Sequence, residues 1–178
     1  PLFNAARDAG VIGDAQIWER QQLAFDANSA GLMRYLDDML AKSDYATASE
    51  WLQTLYRSPD KVADLPRNLP AAQRQALLSA ALRRWAYKDT EAARKWFDTQ
   101  SKKQGLTDAA LRERAGTRIA WYSTIRGVEA NRQWLDDWLT THPDTSLVAQ
   151  RARRTVIEQD WTALNEWVLR LPQDDRND

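Results

Sequence analysis

The sequence of 178 residues contains no cysteine, so disulfides and thiolate metal sites are excluded and no redox compartment is selected. It has one histidine, His142, next to Pro143 in an expected surface turn. A Ser-His or Cys-His catalytic pair would need that ring beside a nucleophile on a shaped element, and nothing in the sequence supplies one. The six glycines are scattered, and none forms G-x-G-x-x-G or G-x-x-x-x-G-K, so there is no phosphate-cradling loop. Apolar runs stop after a few residues, far short of the ~20 that span a bilayer. Charge of either sign is not in excess: 25 Lys and Arg balance 25 Asp and Glu. That argues against a broad electrostatic footprint for nucleic acid or anionic lipid. No signal peptide is visible. A start at Pro1-Leu2-Phe3 without Met reads as a chain cut from something longer.

What the sequence has in abundance is aromatic surface: nine Trp, five Tyr and three Phe. Each can bury about 150–250 Å² at low entropic cost. The plain expectation is packing between helices; the sharper one is a sugar-stacking surface. The aromatics fall into a recurring unit in which an aspartate precedes a Trp by seven positions: Asp44 to Trp51, Asp89 to Trp96, Asp160 to Trp167, with a looser copy from Asn28 to Tyr35. Within the unit Ala48, Ala93 or Leu164 lies one turn before the aromatic on the same face. The Asp or Asn is expected to cap the orphan N–H groups of the first turn. The small residue and the aromatic then dock the helix on its predecessor. A unit unable to bury its own face must stack on copies of itself.

Along the chain, residues 2–9 read as the end of a helix stopped by Gly10 and Gly13. Asp14 is expected to cap a helix to about Ala27, with Ile17, Trp18, Gln21, Ala24 and Phe25 in one stripe. Asn28 or Ser29 opens the next, with Leu32, Tyr35, Leu36, Met39 and Leu40 inward. Ala48, Trp51, Leu52 and Leu55 face inward after Asp44. Pro59, Pro66 and Pro70 make Ser58–Pro70 the least regular stretch, with room for a short turn at Lys61–Leu65. Pro70 is placed to begin a helix striped by Leu77, Leu78, Ala81, Leu82 and Trp85, whose partner follows Asp89. A longer helix from about Thr107 to Ile125 has two apolar faces, as an interior layer requires, and Gly127 breaks it. Trp134, Leu135, Trp138 and Leu139 mark another helix, Leu147, Val148, Thr155 and Val156 the next, and Trp161, Leu164, Trp167, Val168 and Leu171 the last. The fold class is therefore all-α: an irregular α-superhelix, a solenoid or horseshoe of about ten short helices stacked in helical hairpins. Spacing is uneven, and the Trp and Leu-Gly positions of the tetratricopeptide signature are missing.

Few residues suggest chemistry. The acidic pairs Asp37-Asp38, Asp136-Asp137 and Asp174-Asp175 point about 100° apart on a helix, which suits solvated faces rather than a shared proton or metal. One basic cluster stands out: Arg112, Arg114 and Arg118 on one helix, and Arg151, Arg153 and Arg154 on a later one. If the two helices are neighbours, they form an arginine wall able to hold an anionic polymer. Arg112, Arg118, Arg151 and Arg154 are the substrate-binding candidates. The alternative is ion pairing with Glu113 and Glu158. No cofactor, no metal ligand and no catalytic residue is assigned.

The segment Pro1-Leu2-Phe3 with Ile17, Arg20, Leu23 and Ala24, then Ala120-Trp121 followed by Gln133-Trp134-Leu135-Asp136-Asp137, and above all the closing run Asp160–Pro172, resemble the superhelical U-domain of soluble lytic murein transglycosylases in order along nearly the whole chain. The resemblance implies a horseshoe of short helices, closed into a ring by a linker domain, with a C-terminal lysozyme-like catalytic domain sitting on the ring. It implies a periplasmic parent enzyme that cleaves the MurNAc–GlcNAc bond of peptidoglycan to a 1,6-anhydro product, with one glutamate as acid and then base. The family's Glu-Ser and Gly-Leu-Met-Gln motifs are not in this sequence; Gly31-Leu32-Met33-Arg34 is a partial echo. The expectation is one segment, 1–178, of a U-domain without linker or catalytic domain, silent by itself. Its partners would be peptidoglycan through the parent enzyme and the missing domains of the same chain, with self-association through cut superhelix ends as a further outcome. The rival expectation is a helical-repeat scaffold for a protein partner, unrelated to the cell wall.

Overall fold

The computed structural model describes residues 9–176. The helix end expected over residues 2–9 falls, apart from its last residue, outside them. The described residues form nine α-helices, three 3-10 turns and no strand. The helices are α1 (Asp14–Asp26), α2 (Ala30–Leu40), α3 (Ala46–Arg57), α4 (Ala71–Lys88), α5 (Thr90–Thr99), α6 (Ala109–Arg126), α7 (Arg132–Thr141), α8 (Thr145–Glu158) and α9 (Trp161–Leu169).

Two local devices set the corners. Asp89, Asp108, Asp144 and Asp160 each accept the backbone N–H three residues on, at 2.9–3.0 Å. Each cap satisfies one of the donors that a helix start leaves unpaired. At the other ends, Asn28 (φ 57°), Gln159 (φ 57°) and Gly127 (φ 60°) turn left-handed. The residue after each donates back across the last turn: Ser29 to Ala24, Asp160 to Thr155, Val128 to Ser123. This double closure ends a helix and reverses the chain within about two residues. Asn28 therefore works as a hinge rather than the expected cap, and Ser29 occupies the cap position without a side-chain bond. Asp44 and Asp14 do not cap either. Ser43 closes the turn before α3 through its carbonyl and hydroxyl, and Gly13 starts α1 with its N–H on the Gln16 side-chain oxygen.

The helices stack in two rows. α4 packs on α3, α5 and α6, and α6 packs on α4, α5, α7 and α8. The row α4–α6–α8 is continued by the C-terminal end of α1 beside α4. α5 and α7 form the second row, joined edge-to-face where the Phe97 ring meets Trp134 and Trp138. One continuous core runs through both rows. The α1 stripe is buried as the spacing predicts, Gln21 included. Gln21 lies inside because its amide donates to the Met33 carbonyl (3.1 Å) and to Ser49 Oγ (2.7 Å), which in turn donates to Asp37. Expected inward positions fail in three places. Tyr35 is 43% exposed and Met33 fills the core in its stead, while Val156 and Trp161 are 45% and 64% exposed. The proline stretch is packed despite its irregularity: Pro59, Val62, Leu65 and Leu69 are buried around a 3-10 turn, Pro59–Asp64. Arg74 holds it, donating to the Leu65 and Pro66 carbonyls (3.0 and 2.7 Å) and to Gln104 on the Ser101–Gly105 loop. Pro70 is the cap of α4, one position earlier than expected.

Candidate functional site

The row formed by α1, α4, α6 and α8 carries the main hollow surface of the described residues. Helical spacing builds it. Arg114, Arg118 and Trp121 recur at four and three residues on α6, so they share a face. Ser79 and Arg83 do the same on α4, and Asp26 closes α1 opposite them. Arg83 reaches both oxygens of Asp26 (2.8 and 3.1 Å) and donates to Ser79 Oγ (2.7 Å). Arg114 reaches Asp26 Oδ2 at 3.3 Å. One carboxylate thus serves two guanidinium groups. Arg118 makes no hydrogen bond or ion pair to any described residue.

Of the hollows that border this cluster, two share Asp26, Arg83 and Arg118. The larger, about 600 Å³, is an open groove running past Trp121 to Asp144 and Leu147 at the start of α8. The smaller, about 220 Å³, is walled by Phe25, Tyr87 and Tyr122. Tyr87 and Tyr122 meet edge to face at 5.7 Å, with the Arg126 guanidinium 4.8 Å above the Tyr122 ring. Arg84 closes the smaller hollow, stacked 4.0 Å over Tyr56 and bonded to the Tyr56 carbonyl and to Asn28. At the junction three guanidinium groups, Arg83, Arg114 and Arg118, surround the single carboxylate of Asp26, while Glu113 and Asp144 line the rest of the groove. Burial lowers the Arg83 pKa from its ordinary value, Asp26 works against that, and Arg114 and Arg118 add to the lowering by repulsion. A site of this kind favours an anion, whose arrival relieves the crowding of like charge.

The expected arginine wall does not form from the two sets. α6 and α8 are neighbours, but only Arg114 and Arg118 face the groove. Arg112 turns toward α5, its guanidinium 4.2 Å over the Phe97 ring and bonded to Ser101 Oγ, and burial lowers its pKa against the pull of Asp98. Arg151 is inside the protein, 4% exposed, between Asp136 (2.8 Å) and Glu158 (3.4 Å). Burial disfavours its charge, yet the bonds and charges of Asp136 and Glu158 outweigh that and raise its pKa. Arg154 pairs with Glu158 at 3.0 Å and lies over Gly127. These three hold the stack together and do not reach the groove. The ion-pairing alternative thus applies to Arg151 and Arg154, with Asp136 as an added acceptor rather than part of a solvated face. What brings Arg83 and Asp26 to the groove is a contact across 57 residues of sequence, which no spacing rule reveals.

His142 caps α7, its ring stacked on Trp138 with centroids 3.9 Å apart. Among the described residues no group of three or more His, Cys, Asp or Glu side chains is placed to hold a metal ion, and no helix is long and apolar enough to cross a membrane.

Comparison with known proteins places this architecture. Over 175 residues the chain is 27% identical to the soluble lytic murein transglycosylase of Escherichia coli K12, an alignment covering 97% of this chain and 27% of that protein. Against the enzyme of the same name from Salmonella typhimurium LT2 the identity is 28% over 178 residues, with the same coverage. The fold matches the solved 70 kDa soluble lytic transglycosylase in its complex with bulgecin A, with a TM-score of 0.81, 24% identity, and coverage of 99% of this chain and 29% of that one. The separately solved Escherichia coli 70 kDa enzyme gives the same values. No family model matches. The chain is thus homologous to soluble lytic murein transglycosylases along nearly its whole length, and it spans about a quarter of theirs.

Proposed function

Taking that homology as the premise, we propose that the chain is a U-domain segment of a periplasmic peptidoglycan lytic transglycosylase. The parent would cleave the MurNAc–GlcNAc bond to a 1,6-anhydro product in a catalytic domain elsewhere in the enzyme. This segment is the scaffold: it contributes stacked helices to the superhelix and holds substrate strands near the reaction. The observation that carries this reading is the ordered match over 97% of the chain, joined to a shared superhelical fold. The groove gives the scaffold a surface for anionic strands, with Arg114 and Arg118 as its reachable cations.

The test is co-sedimentation of the 178-residue chain with intact peptidoglycan sacculi, with assay of the supernatant for anhydromuropeptides. The expected result is binding without release. Release of product would place a catalytic site in this chain and overturn the scaffold reading. No binding would leave the segment without a role in holding substrate.

A second reading, a scaffold for a protein partner, draws on one observation. Ile157, Trp161 and Leu169 are 70%, 64% and 59% exposed at the α8–α9 end. Large apolar side chains left exposed near one end of the stack suit an interface when they join into one patch. Concentration-dependent self-association, or capture of a protein without sacculus binding, would favour it.

A further inference from the structure

We propose that the junction of the two hollows is a peptide-carboxylate subsite, with Arg118 as its anchor. The proposal rests on the cell-wall reading above and names what the groove would take: the carboxylate-bearing peptides of peptidoglycan rather than its sugar chain.

Three features argue for this ligand class. The first is Arg118. Its neighbours are committed: Arg83 to Asp26 and Ser79, Arg84 to Asn28 and the Tyr56 carbonyl, Arg126 to Thr90 and the Tyr87 carbonyl. Arg118 has no bond among the described residues, so its whole planar fork is open to a two-oxygen acceptor.

The second is the mixture of signs. Asp26 lies in the same junction, and Glu113 and Asp144 also line the groove, Asp144 with one carboxylate oxygen used as the α8 cap. Acceptors beside an arginine suit a ligand that brings both carboxylates and N–H donors, which a peptide does. They disfavour a polyphosphate or a nucleic-acid strand, which brings negative charge at every step. The balanced net charge of the whole chain agrees.

The third is the shape. The groove is open, and its lining mixes charged groups with apolar surface at Trp121 and Leu147. An extended chain presents side chains to such a lining at regular intervals. The smaller hollow, walled by Tyr87 and Tyr122, receives the aliphatic part of the residue that bears the carboxylate.

The experiment titrates the 178-residue chain with three probes, read by Trp fluorescence and by calorimetry. The probes are soluble muropeptides with free carboxylates, the same muropeptides with carboxylates amidated, and glycan chains stripped of peptide. The free-carboxylate form is expected to bind, and amidation or stripping to weaken binding at least tenfold. Arg118→Gln is expected to lose at least tenfold for the free-carboxylate probe and to become indifferent to amidation, and Arg118→Lys to recover part of the loss. Arg153→Gln, an exposed position on α8 outside the groove lining, is the control and leaves binding unchanged. Equal binding by Arg118→Gln and the parent chain, or stripped glycan binding as well as peptide-bearing probe, overturns the subsite. Sacculus pelleting separates the two layers of inference. If the parent chain and Arg118→Gln pellet equally with sacculi, the subsite falls and the cell-wall reading stands. If a glutamate-containing tripeptide binds through Arg118 while sacculi and muropeptides do not bind, the subsite stands and the cell-wall reading falls.

Discussion

The indole of Trp138 lies where a side chain on Gly116 would be. A Cβ built on Gly116 would come within 2.1 Å of the Trp138 ring. The missing side chain lets α7 press its largest aromatic directly onto the α6 backbone. Around that contact Trp138 stacks on Trp134 and His142 and meets Phe97 edge to face. The two rows of helices are locked together here, some distance from the groove that Arg118 faces.

Gly116→Ala is therefore expected to destabilise the chain. Gly→Ala in an open helix interior gains about 1 kcal/mol from propensity. Here the indole must move and the packing around Phe97 with it, a cost of about 1–3 kcal/mol from overpacking. Urea denaturation followed by Trp fluorescence measures it. Trp138→Leu opens the space, so Gly116→Ala should be tolerated or stabilising in that background. Additive losses in the double variant would show that the two residues do not oppose each other.

The arginines divide by role, and stability separates them. Arg151 is buried between Asp136 and Glu158. Removing one partner of a buried pair leaves a charge uncompensated, at about 3–5 kcal/mol when the loss is complete. Asp136 is 31% exposed and Glu158 still supports Arg151, so Asp136→Ala is expected near the low end or below it. Arg118→Gln removes a surface side chain with no bond to a described residue and should stay within about 0.5 kcal/mol of the parent. Thermal and chemical unfolding of the two variants side by side tests the division; comparable losses would contradict it.

Capping offers a third contrast. Asp89→Ala and Asp160→Ala each remove an N-cap acceptor and are expected to cost about 1 kcal/mol. Asp44→Ala removes no cap, and the backbone carbonyl that receives Gln73 survives the change, so only a few tenths are expected. A loss at Asp44 as large as at Asp89 would mean that the aspartate unit is more uniform than the geometry of α3 allows.

Gln21 gives a fourth. Its amide links α1 to the Met33 carbonyl and to Ser49 inside the core. Gln21→Leu suits the apolar stripe by composition, yet it takes from the buried Ser49 hydroxyl oxygen its amide donor and from the Met33 carbonyl its second one. A loss of about 1–3 kcal/mol is expected. Pairing it with Ser49→Ala should cost less than the sum of the two changes, because the second removes one of the groups left unsatisfied.

The all-α class, the boundaries of most helices, the α1 stripe and the capping aspartates at 89 and 160 were legible in the sequence, because they depend on contacts within one or two turns. A period near 3.6 and a short polar residue before it need no tertiary information. The same local rules mislead at Asp44 and Asn28, where backbone closure and a left-handed hinge do the work expected of a side-chain cap. The packed proline stretch escaped because Arg74, on a later helix, organises it.

The site divides along the same line. Sequence alone placed Arg112, Arg114 and Arg118 on one helix, and Arg151, Arg153 and Arg154 on another. Which of them face solvent depends on how each helix is rolled against its neighbours. Stacking turned Arg112 onto Phe97, drew Arg151 inside between two carboxylates, and left Arg118 open beside a pair that joins positions 26 and 83. A helix repeats its own pattern wherever it lies, whereas a groove exists only between helices. Periodicity therefore determined the elements of this protein, and the packing of distant elements decided which of its charges can meet a ligand.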